Sequence, residues 1–353
     1  MTGEPMTLNA SAFDFVLPPE RIAHQPVQPK DSARLLQVGE TLSDHHVCDL
    51  PDLLRPGDLL VANDTRVIPA QLTARRGDAR VGLTLNQPRP DGTWHALARN
   101  ARRLHAGDIL RFDRDETLTA EVVERHPDGG VTLRFNQADE AFLAALRRVG
   151  DLALPPYIQR PEGVRPEDER DYQTIFARQE GAVAAPTAAL HFTDSLLDAL
   201  AARSISIVRV TLHVGAGTFL PVRVEDLSQH HMHAEWGQVT PAAADAINAA
   251  RREGRRVISV GTTSLRLLES AVGEDGIVRP FEGDTTLFIT PGFRFRAVDG
   301  LMTNFHLPRS TLFMLVCGFA GTERMHAAYR HAIETGYRFY SYGDSSLLWR
   351  HDG

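Results

Sequence analysis

Six short stretches of the sequence hold side chains suited to chemistry. In the first, an apolar, β-branched run of strand length, Ile205–Val214, reaches His213 and meets Gly215 and Gly217 at once. α/β sheets place ligands where a buried strand ends in a polar residue and glycines, because glycines let backbone N–H groups approach closely. A plain tight turn reads the same way locally. The second is VGTTSLR (260–266), where a strand meets Gly261, then Thr262, Thr263 and Ser264 as a helix begins. Helix N-termini bind anions through free N–H groups, and simple capping by Thr262 or Thr263 is the alternative. The third is HHMHAE (230–235): if extended, His231, His233 and Glu235 share one face. That face suits zinc, a catalytic or binding role, or ordinary surface histidines. The fourth is MTNFHLPRST (302–311), in which Asn304, His306 and Arg309 have no clear core duty and Ser310 or Thr311 can cap the next helix. The fifth is NDTR (63–66), polar residues closing an apolar strand. Turn chemistry explains Asn63 and Asp64 but explains Arg66 less readily. The sixth is YSYGDSS (340–346), aromatics beside a glycine turn that either stack a base or belong to a packed C-terminal strand.

No GxSxG, GxGxxG or GxxxxGK[ST] pattern occurs, so common hydrolase, dinucleotide-binding and P-loop readings lack support. The elements that must position these residues alternate between strand and helix. Phe13–Leu17, Arg34–Val38 with His46–Cys48, Leu59–Ala62, Ile205–Val214, Ala234–Val239, Arg256–Val260 and Thr285–Ile289 read as strands. Tyr172–Phe176, Asp194–Arg203, a segment opening at Thr240-Pro241 and closing at Gly254, Leu265–Ala271, Ser310–Phe319 and Glu323–Glu334 read as helices, with Arg160–Asp171 an exposed loop. This alternation predicts a layered α/β domain. Between Val67 and Gly150 the texture changes to six short alternating runs separated by Gly, Pro, Asp and Asn, then a helix over Ala138–Val149. Those runs predict a small antiparallel β-barrel inserted into the main domain. The expected division is 1–65 and 151–353 for the main domain and 66–150 for the insert.

The length of 353 residues suggests about two domains, and 42% apolar with 24% charged residues is ordinary for a globular chain. Two cysteines, Cys48 and Cys317, make no disulfide framework, and no signal peptide or membrane-length apolar run is visible. A cytoplasmic protein with no membrane attachment is expected. The net charge is −7, yet Arg66 to Arg114 holds ten arginines against four aspartates, a net +6. Such a patch suits phosphate binding, or merely decorates strand faces in an arginine-rich chain.

Together these stretches closely resemble one family, the S-adenosylmethionine:tRNA ribosyltransferase-isomerases of queuosine biosynthesis. The resemblance rests on FDFVLPPERIAHQP (13–26), DSARLL (31–36), LLVANDTRVIPAQL (59–72), LPPYI (154–158), GAVAAPTAALHFT (181–193), VTLHVGAGTFLPVR (210–223), HMHAEW (231–236), VISVGTTSLRLLES (257–270), FITPGFRF (288–295), DGLMTNFHLPRSTLFMLVCGFAG (299–321) and YRFYSYGDSSLL (337–348). Segment 73–150 matches in texture more than in motif. The resemblance implies a three-layer α/β/α domain interrupted by a small antiparallel β-barrel. It implies that S-adenosylmethionine is consumed as a ribosyl donor, with no cofactor and no metal. The acceptor would be 7-aminomethyl-7-deazaguanine at the tRNA wobble position, and the products epoxyqueuosine-tRNA, adenine and methionine. A monomer is expected.

Site residues are assigned from the chemistry of that reaction. The sulfonium acidifies the C5′ hydrogens, so a base must reach C5′; adenine leaves more easily with a proton donor nearby. His213 is the expected base, His306 the donor or ribose orienter, and Glu235 and Asp64 the further catalytic candidates. Thr262, Thr263 and Ser264 are expected to hold the methionyl carboxylate, with Arg266 or Arg309 as charged partner. Arg66, Thr187, His191, Gly215, Gly217, Thr218, Gly261, Asn304 and Ser310 complete the expected substrate site, and Arg99, Arg102 and Arg103 the tRNA contact. Two rivals remain open: an RNA-binding module without chemistry, and a metal-dependent hydrolase built on His231, His233 and Glu235.

Overall fold

The computed structural model describes residues 9–89, 91–126, 129–219, 224–230 and 232–351. In chain order, β1 (Arg34–Val38), β2 (Leu42–His46), α1 (Leu50–Leu53), β3 (Leu59–Asn63) and β4 (Thr65–Val67) lead into the insert. The insert contains β5 (Gln71–Arg76), β6 (Ala79–Pro88), β7 (Trp94–Ala98), β8 (Ile109–Phe112), β9 (Asp115–Arg125), β10 (Gly130–Phe135) and α2 (Asp139–Val149). The chain returns through β11 (Gly150–Asp151), α3 (Pro166–Asp171), β12 (Gln179–Ala182), α4 (Asp194–Ala202), β13 (Ser206–Leu212) and β14 (Glu235–Val239). It closes with α5 (Pro241–Arg252), β15 (Val257–Val260), α6 (Thr262–Ala271), β16 (Phe281–Thr285), β17 (Gly300–Asn304), α7 (Thr311–Ala320), α8 (Thr322–Glu334) and β18 (Ser345–Trp349).

The main sheet has nine strands in the order β16-β14-β13-β3-β15-β17-β18-β1-β2. Its centre, β13-β3-β15-β17, is parallel, so four strand ends point the same way. β3, β15 and β17 are buried on both faces, as parallel strands inside a sheet must be, and β13 is buried over residues 210–212. Leu59 and Val61 enter one core with α5, α6, α7 and α8, while Leu60 and Ala62 enter the other with α1 and α4. Val257 against Ile258, and Leu301 against Met302, divide in the same way. Two cores on opposite faces of one sheet make the expected three layers. In the insert, β5-β6-β7-β10-β9-β8 is antiparallel and closes through β5–β8, with β11 added at the edge of β5. Alternate residues such as Leu72, Ala74, Leu83, Leu110 and Phe112 fill its interior. This is the barrel that the six short runs predict.

Four local expectations need correction. The strand placed at His46–Cys48 is Leu42–His46, paired with β1, and Val47–Asp49 is a 3-10 turn. Phe13–Leu17 alternates like a strand, but Ala10–Phe13 is a 3-10 turn and Phe15 packs edge-on against Phe313 and Tyr329 at 5.0 and 5.1 Å. The strand placed at Thr285–Ile289 is Phe281–Thr285, paired with β14. The helix placed at Tyr172–Phe176 is α3, within the charged stretch read as a loop. Pro166 opens α3, and the Asp168 carboxylate accepts the Arg165 backbone N–H at 2.9 Å. Thr240 caps α5 as expected, accepting the Ala243 N–H at 3.2 Å, and Gly254 follows it at φ +71°.

Candidate active site

A cavity of about 560 Å³ lies at the carboxyl ends of β15 and β17, bounded by Val214 just past β13. That is where open α/β sheets bind ligands. Gly261, at φ +91°, turns the chain out of β15 and into α6, and no side chain caps the first turn of that helix. Thr262 and Thr263 line the cavity, and the buried Thr263 Oγ1 has no partner. Ser264 turns away, donating to the Val260 carbonyl at 3.2 Å. Asn304, at the end of β17, donates from Nδ2 to the carbonyls of Tyr340 and Ser341 at 2.9 and 3.2 Å. Its Oδ1 is buried and unpartnered, as is the Tyr172 hydroxyl, and both residues line the cavity. Buried polar atoms nearly always find partners; these three belong to residues of the cavity wall but lie beneath its surface, with His191 beside Asn304 and Ser341 beside Tyr172.

The opposite wall is aromatic. Tyr157 and Tyr340 pack with ring centroids 4.5 Å apart, and the Tyr157 hydroxyl bonds Ser341 Oγ. Tyr340 at φ +75° and Arg309 at φ +55° hold backbone conformations unusual for residues with a side chain, a strain that often marks functional positions. Arg309 pairs with Glu225 at the rim, and Ser310 caps α7 by accepting the Phe313 N–H at 3.1 Å. His306 bonds Thr303 Oγ1 through Nε2 at 2.9 Å, and its backbone N–H donates to the Tyr329 hydroxyl. Burial pushes its pKa down to about 3, so the ring is neutral at pH 7. Thr187 lines the cavity; among the described residues, its lining contains no carboxylate.

Of the expected site residues, Thr187, Gly261, Thr262, Thr263, Asn304, His306, Arg309 and Ser310 thus meet at one cavity. The others lie elsewhere. Glu235 and Arg266 form an ion pair with each side chain 6% exposed. Arg266 Nε also donates to the Leu287 carbonyl at 3.0 Å, and Glu235 Oε1 accepts the Gly215 N–H at 3.2 Å. Both are tied to protein groups through these atoms, and Arg266 Nη2 is buried without a partner. Asp64 accepts the Thr211 hydroxyl at 2.7 Å, and burial raises its pKa. His213 bonds Thr65 Oγ1 through Nδ1 at 2.7 Å, stacks on Trp236 at 5.3 Å and closes against Gly181, where a Cβ would stand 2.8 Å from the ring. Burial lowers its pKa to about 4. Arg66 is at the surface near Glu180, 3.8 Å away. Gly215 faces Asn86 of the barrel and Gly217 faces the His233 ring, while Thr218 falls in the 3-10 turn Ala216–Phe219. His231 lies outside the described residues, and among those described no three metal-ligating side chains gather.

Tyr157, Tyr172, Thr303 and Ser341 line the cavity without having been assigned to it. Their signal lay in LPPYI and YSYGDSS, where aromatics and hydroxyls crowd beside turns.

His191 sits buried behind this wall, with its pKa lowered to about 4 by burial. The unfolded chain therefore binds a proton between about pH 6.5 and pH 4 that the folded chain does not. Stability is full above about pH 6.5 and falls toward pH 4. The urea midpoint of the wild type should drop between pH 7 and pH 5, and His191→Asn should show a smaller drop. Equal drops would assign the acid sensitivity to other groups.

The sequence matches the queuosine biosynthesis protein family over residues 10–348. The chain belongs to that family. It is 63% identical to an S-adenosylmethionine:tRNA ribosyltransferase-isomerase of Gluconacetobacter diazotrophicus, with 98% of each chain covered. It is 60% identical to one of Acidiphilium cryptum, covering 97% of this chain and 100% of that relative. It also resembles the crystal structure of an S-adenosylmethionine tRNA ribosyltransferase from Thermotoga maritima at 33% identity and TM-score 0.54, covering 96% of this chain and 99% of the other.

Proposed function

We propose that this chain is an S-adenosylmethionine:tRNA ribosyltransferase-isomerase of queuosine biosynthesis and that the cavity between β15, β17 and Tyr340 is where it works. The observation that carries this placement is the convergence of Thr262 and Thr263 at the start of α6, Asn304 and His306 after β17, and Tyr157 and Tyr340 on one cavity at the carboxyl ends of the parallel strands. At about 560 Å³ the cavity falls within the usual range of small-molecule sites, roughly 300–1,000 Å³. The ribosyl group passes from S-adenosylmethionine to the aminomethyl group of 7-aminomethyl-7-deazaguanine at the tRNA wobble position. Adenine and methionine leave, and epoxyqueuosine-tRNA remains. A cytoplasmic monomer that meets tRNA through Arg99, Arg102 and Arg103 belongs to the same proposal. The test is release of adenine from S-adenosylmethionine. It should require tRNA carrying the 7-deazaguanine base, and adenine release without that tRNA, or none with it, would reject the reading.

The residues take roles from their positions. The uncapped start of α6 and the Thr263 hydroxyl receive the methionyl carboxylate, with Arg309, paired to Glu225, as a lining cation. The Tyr157 and Tyr340 rings offer electron-rich faces to the sulfonium or a stacking surface to a base. His306 is the lining imidazole and takes the C5′ proton. Its low pKa is less adverse than in water. Proton transfer from the sulfonium to imidazole moves one positive charge and creates none, so the burial cost that depresses the ring largely cancels. Once protonated, His306 can pass the proton to departing adenine, whose C1′–N9 bond is breaking.

Thr263→Val removes one orphan hydroxyl and keeps the shape. The KM for S-adenosylmethionine should rise roughly tenfold or more, as for a hydrogen bond to a charged group, with tRNA affinity unchanged. A fall in tRNA affinity with an unmoved donor KM would place the donor elsewhere.

A further inference from the structure

The barrel carries arginines in an arrangement that isolated folding does not favour. Arg111 on β8 stands directly opposite Arg75 on β5, and Arg75 directly opposite Arg80 on β6. In the adjoining row, the Arg99 backbone N–H donates to the Gly82 carbonyl at 2.9 Å, and its side chain lies across Gly82, where no Cβ obstructs it. The inward neighbours Ala74, Val81 and Phe112 are buried, so these arginines share the outer face. Like charges directly opposite on adjacent strands are destabilising. Arg75 is relieved by Asp113 at 2.6 Å, but among the described residues no carboxylate pairs with Arg80, Arg99 or Arg111. The turn Ala101–Arg103 sits at the same end, tied to the β5–β6 hairpin because Arg76 donates to the Arg103 carbonyl and pairs with Asp108 at 2.9 Å.

The distance to the cavity says what this row can reach. At its other end, β6 brings Asn86 against Gly215, the neighbour of the cavity-lining Val214. From Asn86 back to Arg80 is about 20 Å of strand, at roughly 3.3 Å per residue. A nucleotide bound in the cavity cannot touch the row, but the backbone of the RNA carrying it can.

We propose that Arg80, Arg99 and Arg111 form a phosphate track for the anticodon stem, while the cavity takes the wobble nucleotide. This rests on the proposed tRNA substrate and extends the contact from Arg99, Arg102 and Arg103 to Arg80 and Arg111 on the strands. Phosphates would replace the missing carboxylates and remove the cross-strand repulsion.

The test is the double variant Arg80→Ser with Arg111→Ser, both exposed positions, titrated by fluorescence anisotropy over a range of NaCl concentrations. The probes are full tRNA, an anticodon stem-loop and the loop oligonucleotide without a stem. The expected result is a loss on the order of tenfold in affinity for both stem-bearing RNAs at low salt. The slope of log K against log salt should fall by about 2, one per lost phosphate contact. Affinity for the stemless loop and for S-adenosylmethionine should stay at the wild-type value. Unchanged affinity and slope with the stem-loop would overturn the track, and an equal loss on the stemless loop would overturn its assignment to the stem. Failure of the enzymatic reading shows separately, as wild-type protein that binds tRNA with the expected salt slope and releases no adenine.

Discussion

His306→Gln should lose about 10²–10⁴-fold in turnover, the range for removal of a general acid–base group, while still binding S-adenosylmethionine and tRNA. Glutamine keeps a polar group near Thr303, now bonded to the ring at 2.9 Å, so a large loss would report proton transfer and not collapse of the wall. The pH profile adds a second readout. With its pKa near 3, His306 stays neutral from pH 8 down to pH 5, so kcat/KM should show no acid limb from this group in that window. His213→Ala is the control. Its ring is held by Thr65, Trp236 and Gly181 outside the cavity lining. The loss there should be smaller and accompanied by lower stability. Near-normal turnover in His306→Gln, with a 10²-fold or greater loss in a stably folded His213→Ala, would return the base to His213.

Much of the architecture was legible because it depends on local pattern. Leu59–Ala62 and Val257–Val260 are short, apolar but for Ser259, and bounded by turns, and they form parallel strands buried on both faces. The barrel runs alternate with period two, and each becomes a strand. The cavity was legible where glycine and hydroxyls follow a strand, at Gly261–Thr263, and where a polar loop precedes a helix, at Asn304–Ser310. Pairing across distance was not legible. Glu235 and His213 looked available because nothing adjacent satisfied them, yet their partners Arg266 and Thr65 lie 31 and 148 residues away in the chain. Tyr157, Tyr172 and Tyr340 reach one cavity from three separate segments, and only the tertiary fold shows that they share it. Phe13–Leu17 failed for a related reason. Its alternation reflects packing of Phe15 into an aromatic cluster, not pairing with a strand.

Glu235→Gln should destabilise the main domain by about 3–5 kcal/mol, the usual result of breaking a buried ion pair and leaving the other charge unmatched. The pair sits at a junction. It joins β14 to α6, holds the loop carbonyl of Leu287, and through Glu235 Oε1 fixes the Gly215 N–H where the chain leaves β13 toward the barrel. Losing the carboxylate therefore strands Arg266 and loosens the turn beside Val214. Replacing both partners, Glu235→Leu with Arg266→Met, should recover much of the loss, because no buried charge then remains. Urea unfolding followed by tryptophan fluorescence measures both effects, since Trp236 lies next to Glu235 on β14. The same series separates structure from catalysis. A structural pair predicts a large fall in the urea midpoint and, below that midpoint, turnover that declines only as far as the turn at Gly215 is disturbed. A catalytic base predicts the reverse: an unmoved midpoint, turnover down by 10² or more in Glu235→Gln, and no recovery in the double variant. That outcome would place Glu235 in the reaction and would require a conformation in which Arg266 releases it.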